Sequence, residues 1–152
     1  MSVNIHPTAI VSDGASLGTD VTIGPYCTVG THVTIGDRVT LHSHVVIDGY
    51  TSLGAGGEVF PFAVLGCPPQ HTRYAGEEST LEIGTDCVIR EHVTMHPGTA
   101  IDSMRTRVGN NGLFLVASHI AHDCVIGDHA IFANNASLGG HAKIGHYVIM
   151  GG

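Results

Sequence analysis

Residues 17–47 read LGTDVTIGPYCTVGTHVTIGDRVTLHSHVVI, and their spacing decides the fold. Every sixth residue is a bulky aliphatic: Leu17, Ile23, Val29, Ile35, Leu41 and Ile47. Four places after each stands a small or β-branched residue: Val21, Cys27, Val33, Val39, Val45 and Thr51. Working outward, the ladder runs back through Val11 to Ile5 and forward through Leu53 and Val59 to Leu65. It resumes at Ile83, Ile89, Met95 and Ile101, then at Val108, Phe114, Ile120, Ile126, Phe132, Leu138, Ile144 and Met150. Glycine often follows the aliphatic, as at Gly18, Gly24, Gly36, Gly127 and Gly145. Alternate residues of a strand point to opposite faces, so the aliphatic and the small residue can share one inward face. Glycine or a polar residue then turns the corner. One hexad cannot bury its own aliphatic, but stacked coils bury it between them.

This hexad resembles that of the left-handed parallel β-helix acyltransferases. The resemblance implies an all-β solenoid with three hexads per turn, a triangular prism of about eight coils spanning residues 1–152 as one domain. Composition agrees: 43% hydrophobic, 5% aromatic, 21 glycines and only 12% charged residues, against roughly 25% in ordinary globular chains. Two excursions interrupt the pattern. Residues 67–80 read CPPQHTRYAGEEST, and the hexad slots between Leu65 and Ile83 fall on the polar His71 and Glu77. The expectation is a projecting loop that replaces a coil's worth of hexads. The second break is at 102–107, DSMRTR, where Ile101 to Val108 is a step of seven. Arg73, Arg90, Arg105 and Arg107 fall in or between the excursions. They are a candidate anion site or ordinary solvated loop charge.

Net charge is −7, with six basic residues, which argues against nucleic-acid binding. No apolar run is long enough to span a membrane, and the start MSVNIH has no signal-peptide pattern. Four cysteines do not make a disulfide framework. Cys27, Cys87 and Cys124 fall in the inward small slot, and Cys67 lies in the first loop. A cytoplasmic compartment is expected.

Chemistry concentrates in SHIAHDC, residues 118–124, within a chain of 12 histidines. In register, Ile120 and Cys124 point inward, while His122 and Asp123 occupy the corner and face outward. A coil later the same slots hold Gly140 and His141, one strand spacing of about 4.8 Å away. An alcohol attacks well only if a base takes its proton, and neutral imidazole suits that near neutral pH. A carboxylate can orient the imidazole, and a glycine N–H can donate to a developing oxyanion. Corner histidines of a solenoid can equally be solvated surface.

The stretch HIAHDCVIGDHAIFANNASLGGH, residues 119–141, closely resembles the catalytic region of UDP-N-acetylglucosamine acyltransferases. So do IGPYCTVG (23–30), LHSHVVIDG (41–49), YAGE (74–77) and IREHVTMHPGT (89–99). The resemblance covers the whole chain. It implies acyl transfer from acyl carrier protein to the sugar 3-hydroxyl of UDP-N-acetylglucosamine, the first step of lipid A synthesis. It makes His122 the base, Asp123 its orienting partner and Gly140 the oxyanion donor. It places His119 and His141 against the sugar and phosphates, Gln70, His71 and Arg73 at the UDP-sugar, and Asn134 and Asn135 near the acyl path, where a corner role is the alternative. It implies a homotrimer with sites between subunits, and no cofactor or metal. This chain carries His71-Thr72 where many relatives carry Asp-Leu, which leaves the 3-amino sugar open as acceptor, and Arg73 replaces the commoner Lys. The family continues past Gly152 with further coils and a C-terminal helical domain, so the chain is expected to be truncated or to have its last coil covered by a partner.

Two other readings stand beside the transferase. One is a truncated trimeric β-helix that binds without turnover. The other is a zinc enzyme like the γ-class carbonic anhydrases, for which His141 and His146 have a ligand-like gap.

Overall fold

The computed structural model describes residues 2–152. The chain folds as a left-handed parallel β-helix, the described residues forming twenty-two short strands in three parallel sheets, one of eight strands and two of seven. Consecutive strands go to consecutive sheets, so every third strand pairs. The first sheet begins with Asn4–Ile5 and Thr22–Ile23, the second with Ile10–Val11 and Thr28–Val29, the third with Ser16–Leu17 and Thr34–Ile35. Partners are 18 residues apart in the regular coils, as in Thr22 with Thr40.

The hexad does what its chemistry requires. The aliphatic of each two-residue strand points in and its predecessor points out, so Ile23, Leu41, Leu65, Ile89 and Ile120 are all but fully buried. The small slot is buried beside it at Val21, Cys27, Val33, Ala63 and Cys124. Two wider side chains, Phe114 and Phe132, fill the upper core with ring centroids 5.2 Å apart. Burying each large side chain stabilises the coil by about 1.5–3 kcal/mol. Backbone N–H groups of one coil donate to carbonyls of the next, as Thr22 to Val39 and Gly36 to Leu53.

Of the glycine or polar residue expected to turn each corner, it is mostly the polar residue that does so. The left-handed conformation falls mostly on residues other than glycine, among them Asp20, Tyr26, His44, Phe62, Asp123, Asn135 and His141, with φ between 54° and 68° across the non-glycine set. The glycines after the aliphatics serve close approach instead. A Cβ on Gly54 would stand 2.5 Å from the Gly84 carbonyl carbon, and one on Gly84 would stand 2.6 Å from the Gly109 carbonyl oxygen. Side chains then clamp this corner: Asp37 accepts from the N–H of Thr19, Asn110 from Thr85 and Asp128 from Asn110.

Two sequence expectations are corrected. The first loop does not replace a coil. Its residues 66–79 are inserted between Val64–Leu65 and Thr80–Ile83, strands of successive sheets, and the partner offset rises to 30 where Glu58 pairs with Val88. The second loop is 96–104, not 102–107: Arg105–Val108 is a strand and Ile101, counted above as a hexad position, is 42% exposed in a turn. The offset there is 25, from Val88 to Leu113. Among the described residues no helix is long and apolar enough to cross a membrane.

Candidate active site

Both insertions leave the prism at the same corner, between the second and third sheets, on successive coils. The next coil presents Ala121–Cys124 at that corner and the one after presents Gly139–Ala142, each between strands of those two sheets. The loops fold over the corner. His122 and Asp123, expected at the corner and facing outward, are there but covered, at 9% and 3% exposure. The hexad reading places them at a corner correctly and misses the cover, because inserted residues carry no period.

The pair is well defined. A carboxylate only accepts, so the His122 Nδ1–H donates to Asp123 Oδ2 at 2.9 Å and leaves the Nε2 lone pair free. Asp123 is held from behind by the second loop. The Thr99 N–H donates to Oδ1 at 2.9 Å and the Thr99 hydroxyl to Oδ2 at 2.5 Å, with Ser103 at 3.4 Å. The Asp123 N–H donates to Thr106 Oγ1. Burial pushes the Asp123 carboxyl up, but the Thr99 hydroxyl and N–H and the His122 ring outweigh it and hold it below the ordinary carboxylate range.

Gly140 lies directly above the His122 ring. A Cβ there would stand 2.3 Å from Cε1, 2.5 Å from Nε2 and 2.9 Å from Nδ1. Glycine is thus required for the His122 ring to occupy its place, whatever its N–H does. The His141 N–H donates to the His122 carbonyl at 3.0 Å, and the two rings meet edge to face at 4.9 Å. His71, from the first loop, meets the His122 ring on another edge, also at 4.9 Å. Its Nδ1 accepts the Arg73 N–H at 3.1 Å, so a neutral His71 carries its proton on Nε2 and presents a donor.

His119 stands on the outer face of the second sheet, where its Nδ1 shares a 2.7 Å hydrogen bond with the Thr94 hydroxyl. Burial holds its imidazole below the ordinary range. Gln70 and Arg73 are exposed on the first loop. Asn134 and Asn135 are exposed at a different corner, between the first and second sheets, and Asn135 turns that corner with φ 61°. The structure therefore gathers His122, Asp123, Gly140, His141 and His71, and leaves the asparagine pair apart from them.

The arginines do not converge. Arg105 and Arg107 share Glu82 on the third sheet, at 3.5 and 3.9 Å, while Arg90 pairs with Glu91 and lies over the Phe60 ring. They are face and corner charges, not one anion site with Arg73. His141 and His146 likewise occupy different corners, and His146 Nδ1 accepts the Asp128 N–H, so their four-residue gap is no metal-ligand pair. His122, Asp123 and His141 do bring ligand-type atoms within 4.8 Å of one another. The Cys67 thiol is pushed up by burial and by Asp48, which disfavours its nucleophilic form.

Further partners of this corner were missed in the sequence. Thr99 and Ser103 buttress Asp123. Glu77 joins the loops, accepting from the Ala75 N–H at 2.8 Å and from the Ala100 N–H at 2.7 Å. His96 lies edge-on to His119 at 5.0 Å, with an Nδ1 that has no hydrogen-bond partner among the described residues. Burial, then the neighbouring His119 and His122, depress its pKa to about 4.

Comparison with known proteins agrees with the β-helix fold. Residues 14–49 match the family model described as bacterial transferase hexapeptide (six repeats). The chain is 50% identical over 151 residues to an acyl-[acyl-carrier-protein]–UDP-N-acetylglucosamine O-acyltransferase from Rhizobium johnstonii, covering 99% of this chain and 56% of the relative. It is 55% identical over 149 residues to the protein of the same name from Verminephrobacter eiseniae, covering 98% and 57%. The solved structure of LpxA from Acinetobacter baumannii superposes with a TM-score of 0.96 at 51% identity, covering 97% of this chain and 57% of that one. The chain thus spans about half the length of the curated relatives it matches.

Proposed function

The chain belongs, over the span it covers, to the UDP-N-acetylglucosamine O-acyltransferase family, and from that premise we propose that it carries the catalytic corner of such an enzyme. The reaction moves a (3-hydroxy)acyl group from acyl carrier protein to the 3-hydroxyl of UDP-N-acetylglucosamine, the first step of lipid A synthesis.

The observation that carries this reading is the buried His122–Asp123 pair with Nε2 free beneath Gly140. His122 Nε2 takes the proton of the sugar hydroxyl as its oxygen attacks the thioester carbonyl. The Gly140 N–H donates to the oxyanion that forms. When the tetrahedral intermediate collapses, the carbon–sulfur bond breaks and the thiolate leaves with the proton from the imidazolium. Asp123 fixes the tautomer and stabilises that cation. His119, His141, Gln70, His71 and Arg73 contact the nucleotide-sugar, and Asn134 and Asn135 lie toward the acyl chain.

The assembly is a homotrimer, with sites completed between subunits, and it works in the cytoplasm. A row of rings supports packing against a second copy: Tyr26, His44, Phe62 and His92 stack along one corner at 5.0–5.2 Å, with Tyr26 60% exposed.

The test is transfer from acyl carrier protein thioesters to UDP-N-acetylglucosamine, beside His122→Ala. Transfer lost in the variant supports the reading. No transfer from a folded trimer would assign this chain the non-catalytic alternative, a β-helix that assembles without turnover.

A further inference from the structure

Two histidine–carboxylate pairs stand side by side at this corner, and one loop serves both. The first is His122 with Asp123. The second is His141, whose Nδ1–H donates to Asp102 Oδ2 at 2.5 Å. Asp102 lies 39 residues away in the second loop and belongs to no repeat position. The two imidazoles are perpendicular neighbours, with centroids 4.9 Å apart and planes at 85°. The loop that brings Asp102 is already fixed by its other duties. Thr99 clamps Asp123 with two hydrogen bonds, Asp102 and Met104 donate their N–H groups to the Thr99 carbonyl, and Glu77 holds Ala100 from the first loop.

We propose that Asp102 is a positioning residue for His141. It holds that ring as the Nδ1–H tautomer, turns Nε2 toward the acceptor as a lone pair, and so sets affinity for the nucleotide-sugar. This rests on the acyltransferase reading of the same corner.

The chemistry is that of acceptor-only oxygen. A carboxylate beside Nδ1 requires the proton there, so the other ring nitrogen is an acceptor in the neutral ring. Nε2 of His141 then accepts from a substrate hydroxyl or amide N–H. Without the carboxylate, nothing on Nδ1 selects this tautomer, and the ring is free to rotate about its half-exposed corner. Both side chains are 44% exposed, so the pair contributes little to folding and its effect is on orientation. The same four-residue stretch, 99–102, thereby sets the tautomer of the base and that of the neighbouring substrate contact.

The experiment combines imidazole NMR with kinetics on the whole chain. In histidine labelled with nitrogen-15, His141 and His122 should both show protonated Nδ1 and unprotonated Nε2. Asp102→Ala should move His141, and not His122, to the Nε2–H form, and Asp102→Glu should recover part of the original signal. In the transfer assay, kcat/KM for UDP-N-acetylglucosamine should fall about tenfold in Asp102→Ala, the larger share in KM, as for loss of one well-oriented hydrogen bond. A wild-type His141 with Nε2–H, or a tautomer indifferent to Asp102→Ala, overturns the proposal. So does an unchanged KM beside active wild type. A tautomer switch in a protein that shows no transfer leaves the Asp102–His141 pair standing and removes the enzyme reading alone.

Discussion

At the residue scale, the corner turns on what sits against the His122 ring. Gly140→Ala would force a methyl group into the imidazole. Transfer should fall by about a hundredfold or more, as expected when a general base is misplaced, while the thermal unfolding midpoint changes little. Parallel assays and melts check both. Thr99→Val removes the hydroxyl that donates to Asp123 Oδ2. A hydrogen bond to a charged group contributes about 1.5–3 kcal/mol, and the variant should lose about that much stability at pH 7. The sign with pH follows from the depressed Asp123 carboxyl. Its contribution is present above the unfolded carboxylate value, near about 4, and is lost as pH falls through the lower folded value. The penalty of Thr99→Val should therefore shrink in acid, which denaturant unfolding at pH 7 and pH 3 would measure. A penalty that grew in acid would contradict the assignment. Of this corner, the His122–Gly140 juxtaposition was legible by counting coils. Thr99 and Asp102 were not, because they act from an insertion that carries no repeat.

At the scale of the element, the corners matter more than the strands. Two-residue strands have little ladder of their own, so the coil depends on glycines that let successive backbones touch. Gly84→Ala should destabilise the protein by about 1–3 kcal/mol, the usual cost of overpacking. Its Cβ meets the Asn110 Oδ1 at 2.3 Å and also the Gly109 backbone, at 2.6 Å from the carbonyl oxygen, which cannot swing away as a side chain can. Urea unfolding provides the measure, with an unchanged slope showing that the same surface is exposed. The second loop has a comparable pivot at Gly98, where a Cβ would overlap the backbone of Met104 and Arg105. Gly98→Ala should therefore unseat Thr99 and Asp102 together and lower transfer. Sequence periodicity identified these elements with few errors. It erred at Ile101, a hydrophobic residue that fell on the six-residue count by accident and is exposed in a turn.

At the scale of the whole molecule, stability is a stack of interfaces between coils, and a buried histidine makes it respond to pH. His96 has its folded pKa lowered to about 4 from an ordinary value of 6.5. Between those values the unfolded chain binds more protons than the folded one, so stability must fall as pH drops from about 6.5 toward 4. His96→Gln should flatten that part of the pH–stability curve, as seen in unfolding midpoints across the window. Core truncation acts on the same stack at all pH values: Phe114→Ala, fully buried against Phe132, should cost about 3–5 kcal/mol.

The hexad determined the inward face, because a repeat buries its apolar side chains only in one register, and the three-hexad coil that the family resemblance implied gave the address of each corner residue. From that register followed His122 beneath Gly140 and Asp123 beneath His141. Only the tertiary structure decided the environment of that corner. The two insertions shift the coil offset from 18 to 30 and to 25 residues, and their path is set by contacts rather than by period. Folded over the corner, they bury a pair that would otherwise be solvated. They supply Thr99 to Asp123 and Asp102 to His141 as hydrogen-bond partners and set His71 edge-on against the His122 ring. A repeating sequence specifies where its residues stand along the prism. Which of them are withdrawn from water depends on the segments that do not repeat.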